Sequence, residues 1–291
     1  CFFFIADWHA LTSDYENPGN IRKFSRSMMI DWLAAGLSPE KSTLFVQSEI
    51  KEHAELFLLL SMITPVPWLE RNPTYKDQID ALQSKDLSTF GFLGYPVLQA
   101  ADIIIYKAEG VPVGVDQAPH IEITREIARR FNHLYQDVFP EPATILTETS
   151  KILGLDRRKM SKSYNNAIFL ADPPDEIRKK VSQMVTDPQR IKRSDPGDPS
   201  VCNVFNFHGY YSSQELVDEV NHACRNALIG CVDCKKKMAE GLAAFLTPIR
   251  ERIDHYKANA GQVDEIISAG TEKARQVARH TLEEVRRAIR I

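Results

Sequence analysis

The sequence predicts an α/β fold, a Rossmann-like parallel sheet followed by an all-helical C-terminal domain. Three observations predict it. Over residues 1–170 short apolar runs alternate with stretches of helical periodicity, the pattern of a mostly parallel sheet with helices on its faces. Beyond residue 170 the strand signals stop and helix signals dominate. The chain's 291 residues, 43% hydrophobic and 26% charged, supply enough apolar surface for one large or two ordinary cores. The expected division is therefore an α/β domain over residues 1–170 and a helical domain over residues 171–291.

The elements follow in order. Cys1 opens into Phe2-Phe3-Phe4-Ile5, an apolar run that reads as a buried strand over residues 2–6, and further strands are expected at 43–47 and 111–113. Between the first two, Ile21, Phe24, Met28 and Trp32 recur at helical spacing, and Gly36 stands where a C-terminal cap belongs. A helix over residues 52–63 is stopped by Pro65 and Pro67. In the second half, Asp172-Pro173 reads as an N-cap followed by Pro at the first helical position, and Ser212 with Glu215 as a capping box. Val277, Ala278, Leu282, Val285 and Ile289 make one stripe of a final helix. Residues 189–199, with Arg190, Lys192, Arg193, two prolines and Gly197, read as an exposed basic connector.

The bulk properties exclude some roles. The longest apolar run, residues 56–60, is bounded by Glu55 and Ser61 and falls far short of the roughly 20 residues that cross a bilayer, so no membrane role is expected. A net charge of −3 means that nucleic acid would be held by local basic patches. No charged segment precedes the first apolar run in this sequence, so the run is not expected to be a signal peptide. The chain reads as starting inside a strand, with its beginning missing.

Lys159-Met160-Ser161-Lys162-Ser163 carries two ammonium groups and two hydroxyls in five residues. Compact lysines are strong point charges for polyphosphate, and hydroxyls add adjustable donors where charge builds on a leaving group. By composition the run is also compatible with a solvated basic turn after Arg157 and Arg158. As a string it resembles the KMSKS signature of class I aminoacyl-tRNA synthetases, a loop that moves onto the pyrophosphate of ATP.

Tyr95, Gln99 and Asp102 fall on one face of a helix, where a phenol, an amide and a carboxylate could grip a donor beside apolar residues. Their alternative is local pairing and core packing. The strand Val111-Pro112-Val113 leaves into Gly114-Val115-Asp116-Gln117, and strand ends opening on polar residues are where such sheets bind ligands. His120 and Glu122 then begin a basic helix through Arg125, Arg129 and Arg130, which alone reads as an amphipathic surface helix.

These segments, with Asp7-Trp8-His9-Ala10 before them and the 159–163 loop after them, are similar in order to bacterial tryptophanyl-tRNA synthetases over essentially the whole chain. The resemblance implies a nucleotide-binding domain, a helical anticodon domain, a homodimer and a cytoplasmic enzyme acting on ATP with Mg²⁺, L-tryptophan and tRNA(Trp). It implies that Asp102 accepts the indole N–H, which is only a donor. Val111 and Val113 would form the ring slot, Tyr95 and Gln117 hold the α-amino group, and Gln99 and His9 stand near the ring. Gly114, Asp116 and Gln117 would line the ATP ribose. Lys159, Met160, Ser161, Lys162 and Ser163 would follow the phosphates, with Lys159, Ser161 and Lys162 catalytic.

Two departures bear on this reading. Gln99 stands where many family members have Met, which makes the Tyr95, Gln99, Asp102 triplet resemble tyrosyl-tRNA synthetase too; the Val-Gly-Val-Asp-Gln and Asp-Trp-His-Ala runs favour tryptophan. No HIGH-like motif is present, and roughly thirty to forty residues, about one strand, loop and helix, are expected upstream. Without them the chain would be a poor catalyst. The rival readings are therefore a tyrosine enzyme and a non-catalytic RNA-binding paralogue.

Cys202, Cys224, Cys231 and Cys234 form C-x21-C-x6-C-x2-C, far from Cys1. Clustered cysteines without a secretory signal point to metal rather than disulfides. Zn²⁺ prefers two close pairs, whereas thiolate-only ligation also suits a [4Fe–4S] cluster. A subset of the bacterial family carries a very similar spacing around such a cluster in the anticodon domain, and the resemblance favours the cluster, with Zn²⁺ as the alternative. Lys235, Lys236 and Lys237 follow, either as a solvated face or as anticodon-phosphate contacts.

Overall fold

A computed structural model of the protein describes residues 1–73, 75, 87–146 and 152–291. The chain divides into two compact units, residues 1–150 with 259–291, and residues 151–258.

In the first unit β1 (Phe2–Ile5) and β2 (Thr43–Val46) pair in parallel, from Phe2 against Thr43 to Ile5 against Val46. A parallel pair needs a long crossover, and α1 (Asp7–Asp14) and α2 (Ile21–Ala35) supply it. Gly36 caps α2 with φ of 108°, a left-handed turn that favours glycine. The buried face of α2 differs from the expected one. Ser25, Met29, Ile30, Leu33 and Ala34 face inward while Phe24 and Met28 are exposed. The helix carries apolar residues on two faces, so periodicity fixes its type and not its orientation.

Helix α3 (Glu52–Ser61) ends before Pro65, and the short α4 (Val66–Glu70) starts around Pro67. The long α5 (Phe90–Ile104) is capped by Thr89, whose hydroxyl accepts from the Phe92 amide. Then β3 (Gly110–Val113), α6 (Ala118–Leu134) and β4 (Ala143–Leu146) form a second parallel unit, registered from Gly110 against Ala143 to Val113 against Leu146. Strand β4 had no sequence signal of its own. Ile145 and Leu146 are exposed, so the run has no buried period to detect.

The core of this unit joins Phe45, Leu56, Ala101, Ile104, Ile127 and Phe131 to Ala274, Ala278, Leu282 and Val285 of the last helix, α11 (Ala260–Ile289). The division expected at residue 170 therefore falls elsewhere. The stripe on α11 is apolar as predicted, but it packs on β2 and α3, and helical periodicity does not say which core a helix joins.

The second unit holds α7 (Pro174–Ser182), α8 (Asn203–Tyr211), α9 (Gln214–Arg225) and α10 (Cys231–Ala258). Helices α7 and α10 pack together, burying Ile177 and Val181 on one and Met238, Leu242 and Leu246 on the other. Two caps differ from expectation. Asp172 does not cap α7 but accepts from the Phe169 amide and Lys180, and the cap of α9 is Ser213, while Ser212 meets His208 at the end of α8. Among the described residues no helix is long and apolar enough to cross a membrane.

Candidate functional site

Asp102, 3% exposed, sits on α5 at the centre of a buried polar network. Its Oδ1 accepts from His53 Nδ1 at 2.5 Å, its Oδ2 from His9 Nε2 at 2.8 Å, and Gln47 Nε2 reaches both oxygens at 2.8 Å. Burial alone would raise the pKa of this carboxyl. The bonds from His53 and His9 outweigh it and hold the group below the ordinary carboxylate range, so it is ionised and accepts only. His53 Nε2 lies 2.6 Å from the Tyr106 hydroxyl. Burial, with the charges of Asp102 and Glu52, pushes the Tyr106 pKa up, so the phenol keeps its proton and donates it to Nε2, leaving Nδ1–H for Asp102.

His9 comes from α1, whose start is tied to the end of β2: Asp7 accepts from the Ser48 amide at 3.0 Å, and the Trp8 amide reaches Gln47 Oε1 at 3.2 Å. Tyr95, about two turns before Asp102 on α5, turns its ring edge-on to His9 with centroids 6.1 Å apart. Its hydroxyl lies 2.8 Å from His120 Nε2, and Asn72 Nδ2 donates to His120 Nδ1 at 3.0 Å. With Nδ1 accepting, Nε2 carries the proton and Tyr95 Oη receives it. Burial and the nearby His9 lower the His120 pKa to about 4, against a weaker upward pull from Asp116, and burial raises Tyr95 to about 12. Both rings stay uncharged near neutrality. Gln99 is half-buried on the same helix, as are Val111 and Val113 on β3. Beyond β3 the backbone of Gly114 closes on the Asp116 carboxylate, where a Cβ would stand 2.7 Å from Oδ1, and Gln117 donates to Asp116 at 3.1 Å.

The basic helix α6 spends its charge locally. Arg129 pairs with Glu122, Glu126 and Glu141, and Arg130 lies over the Trp68 ring.

The 159–163 loop belongs to the second unit and is organised from inside it. Lys159 bridges to Leu153, and Arg157 turns the chain with φ of 67°. The side chain of Asn166, 3% exposed, accepts from the Ser161 amide at 2.8 Å and donates to the Lys159 carbonyl at 3.2 Å and to Asp156 at 2.7 Å. Lys159 and Lys162 are exposed, while Met160 and Ser161 are half-buried. The Ser163 side chain lies outside the described residues.

The four cysteines are free thiols, with Cys234 buried and Cys202, Cys224 and Cys231 half-buried. Among the described residues no group of three or more His, Cys, Asp or Glu is placed to hold a metal ion. Arg190 Nη1 approaches Cys224 Sγ at 3.7 Å and Cys231 Sγ at 4.0 Å, while its Nη2 donates to the carbonyls of Ile229 and Arg193 at 2.7 and 2.9 Å. Residues 189–199 are therefore not simply an exposed connector. His208 Nε2 stands 3.6 Å from Cys234 Sγ. Burial, with the neighbouring thiols, pushes Cys234 up to about 12. Of the three lysines that follow, Lys235 donates to the Ser182 carbonyl and Lys237 to Glu219, while Lys236 is exposed.

Sequence reasoning missed Gln47, His53, Asn72, Asn166 and Arg190 as organisers. Gln47 carried a usable signal, a polar residue at the end of an otherwise apolar strand. His53 did too, lying on the same helix face as Leu56 and Leu60.

The family described as tRNA synthetases class I (W and Y) matches residues 1–247. Tryptophan–tRNA ligase of Thermotoga maritima is 53% identical over 292 residues, covering 100% of this chain and 89% of its own. That of Aquifex aeolicus is 46% identical, covering 100% and 91%. The crystal structure of tryptophanyl-tRNA synthetase from Campylobacter jejuni, complexed with ADP and tryptophan, matches with a TM-score of 0.90 at 31% identity, over 99% of this chain and 89% of that one. A tyrosyl-tRNA synthetase from Archaeoglobus fulgidus, at 19% identity, a TM-score of 0.65 and coverage of 87% and 79%, shares the fold alone.

Proposed function

The chain belongs to the class I tRNA synthetases for tryptophan and tyrosine, and from that membership we infer that it activates L-tryptophan with ATP and transfers it to tRNA(Trp). The observation that carries the amino-acid pocket is Asp102, a buried carboxylate kept ionised and facing donors only. Such a group suits a ring N–H. It would also take a phenol, and the choice of tryptophan over tyrosine rests on the relatives that are 40% or more identical across the chain.

In this reading Asp102 fixes the indole, Tyr95 and Gln117 orient the α-amino group, Gln99, Val111 and Val113 flank the ring, and Gly114, Asp116 and Gln117 receive the ribose. The tryptophan carboxylate attacks the α-phosphorus of ATP in line and pyrophosphate leaves. Mg²⁺, which arrives with ATP, supplies charge neutralisation, and Lys159, Ser161 and Lys162 add donors to the departing phosphates, with Met160 and Ser163 completing the loop. A terminal ribose hydroxyl of tRNA(Trp) then attacks the carbonyl carbon of the acyl-adenylate, takes the acyl group and releases AMP. Positioning and electrostatics supply most of such a rate enhancement. The helical unit would carry the anticodon contacts. Leu58, Met62, Val66 and Phe90, apolar and exposed in the single chain, support a homodimer.

The thiols of Cys202, Cys224, Cys231 and Cys234 would hold a [4Fe–4S] cluster. The donor set is all sulfur, which suits iron–sulfur chemistry and would also take Zn²⁺. Gly197 leaves the approach to Cys224 bare, since a Cβ there would stand 2.6 Å from Sγ. When bound, the cluster would tie the loop before α10 to the end of α9.

Amino-acid-dependent ATP–pyrophosphate exchange, on protein purified without oxygen, tests the reading. Exchange with tryptophan alone is expected. Exchange with tyrosine would overturn the specificity, and a folded protein without exchange would be an RNA-binding relative. Visible absorption that vanishes in Cys234→Ser supports the cluster; a colourless protein without iron opposes it.

A further inference from the structure

Asp102 has three donors, and they are not equivalent. The side chains of His53 and Gln47 are fully buried, so neither can leave the carboxylate without opening the core. His9 is different: its side chain is 20% exposed, and it stands on α1, a two-turn helix that buries none of its own residues. The start of that helix is tied through Asp7 and Trp8 to Ser48 and Gln47. The His9 imidazole therefore occupies the one acceptor direction of Asp102 that solvent or a ligand can reach, at Oδ2 and 2.8 Å.

We propose that His9 is a displaceable latch on Asp102: its ring N–H satisfies Oδ2 while the pocket is empty, and the indole N–H of the amino acid takes over that bond when tryptophan enters. This rests on the tryptophan reading of the site and adds a role for His9 beyond standing near the ring. One ring N–H is exchanged for another, so the buried carboxylate is never left short of a donor. An unsatisfied group there would cost more than the bond gained. The exchange also explains why a buried carboxylate keeps a partly exposed partner when two buried ones already hold it in place.

The latch competes with the ligand for Oδ2. Asp102 and Tyr95 from α5 face His9, with His120 from α6 behind Tyr95 and His53 from α3 across the carboxylate. Removing the His9 donor takes away the bond that tryptophan must displace and leaves Oδ2 short of a donor in the empty protein.

Calorimetric titration of L-tryptophan into the full chain tests this, together with thermal unfolding of the empty and the tryptophan-saturated protein. His9→Phe, which keeps a ring but has no donor, unfolds at a lower midpoint than the wild type when empty and at the wild-type midpoint when saturated, and it binds tryptophan about three- to tenfold more tightly. His9→Asn, which keeps a donor, stays within about twofold of the wild type. The proposal is overturned if His9→Phe binds tryptophan more weakly, or if its midpoint falls equally with and without tryptophan. Absence of tryptophan binding by the folded protein would remove the tryptophan reading, and the latch with it.

Discussion

The side-chain amide of Asn166 holds the backbone N–H of Ser161 at 2.8 Å, so the middle of the 159–163 loop is fixed by a residue outside it. The same side chain bonds the Lys159 carbonyl and Asp156, and it lies against Gly154, where no Cβ would fit. Gly154 is bound in turn by Asn203 of α8 through its carbonyl at 2.7 Å. The loop's two lysines project from a turn whose backbone Asn166 pins at two points, the Ser161 amide and the Lys159 carbonyl. Asn166→Ala leaves those backbone groups without their partner, at about 1–3 kcal/mol. The expected result is pyrophosphate exchange slowed by one to two orders of magnitude with tryptophan affinity held within twofold. An unchanged rate would show that the loop needs no such support.

Lys162→Ala tests the loop's charge rather than its shape. Lys162 is exposed and the loop's pins run through Asn166, so the protein should fold normally. Activation is expected to fall about a hundredfold or more, since donors aimed at a departing phosphate are worth a few kcal/mol. Tryptophan binding should stay nearly intact. Equal loss of binding and rate would sink the assignment.

Much of this was legible in the sequence for a physical reason: the α/β half announces itself by period, and the loop by its string. Tyr95, Gln99 and Asp102 came out on one helix as their spacing required. What was not legible is partnership across long separations. Gln47, His53 and His9 reach Asp102 from 55, 49 and 93 residues away, and no local pattern encodes that. The membership of α11 in the first unit was hidden likewise, because an apolar stripe states that a helix is buried and not against what. Capping residues slipped by one position at Ser212 and Ser213, since adjacent serines offer the same oxygen.

Gly270 marks where α11 crosses β2. A Cβ there would run into the Leu44 carbonyl, which is backbone inside the sheet and cannot give way. Gly270→Ala, ordinarily a mild helix-favouring change, is therefore expected to destabilise the first unit by on the order of 3 kcal/mol. Thermal unfolding should show its midpoint lowered by roughly 6–10 °C. The second unit, which α11 does not belong to, should retain its helical signal. A neutral or stabilising substitution would mean that α11 does not approach β2 this closely.

His120 gives the first unit an acid-sensitive step. Burial lowers its pKa from 6.5 to about 4, so the folded protein holds it neutral where the unfolded chain would already protonate it. The depressed value means no effect above the unfolded pKa. Stability is lost as pH falls from about 6.5 to about 4, by on the order of 2–3 kcal/mol. The Asp102 carboxyl behaves differently: its pKa lies below the ordinary carboxylate range, so its contribution is present above that range and is lost only as pH falls through the folded value. The two limbs therefore separate on the pH axis. In His120→Gln, which keeps an amide towards Tyr95 and Asn72 but cannot charge, the midpoint at neutral pH should drop modestly while the decline between pH 6.5 and 4 flattens. Denaturant midpoints measured across that range decide it: a variant that keeps the full wild-type decline would place the acid-sensitive group elsewhere in the fold.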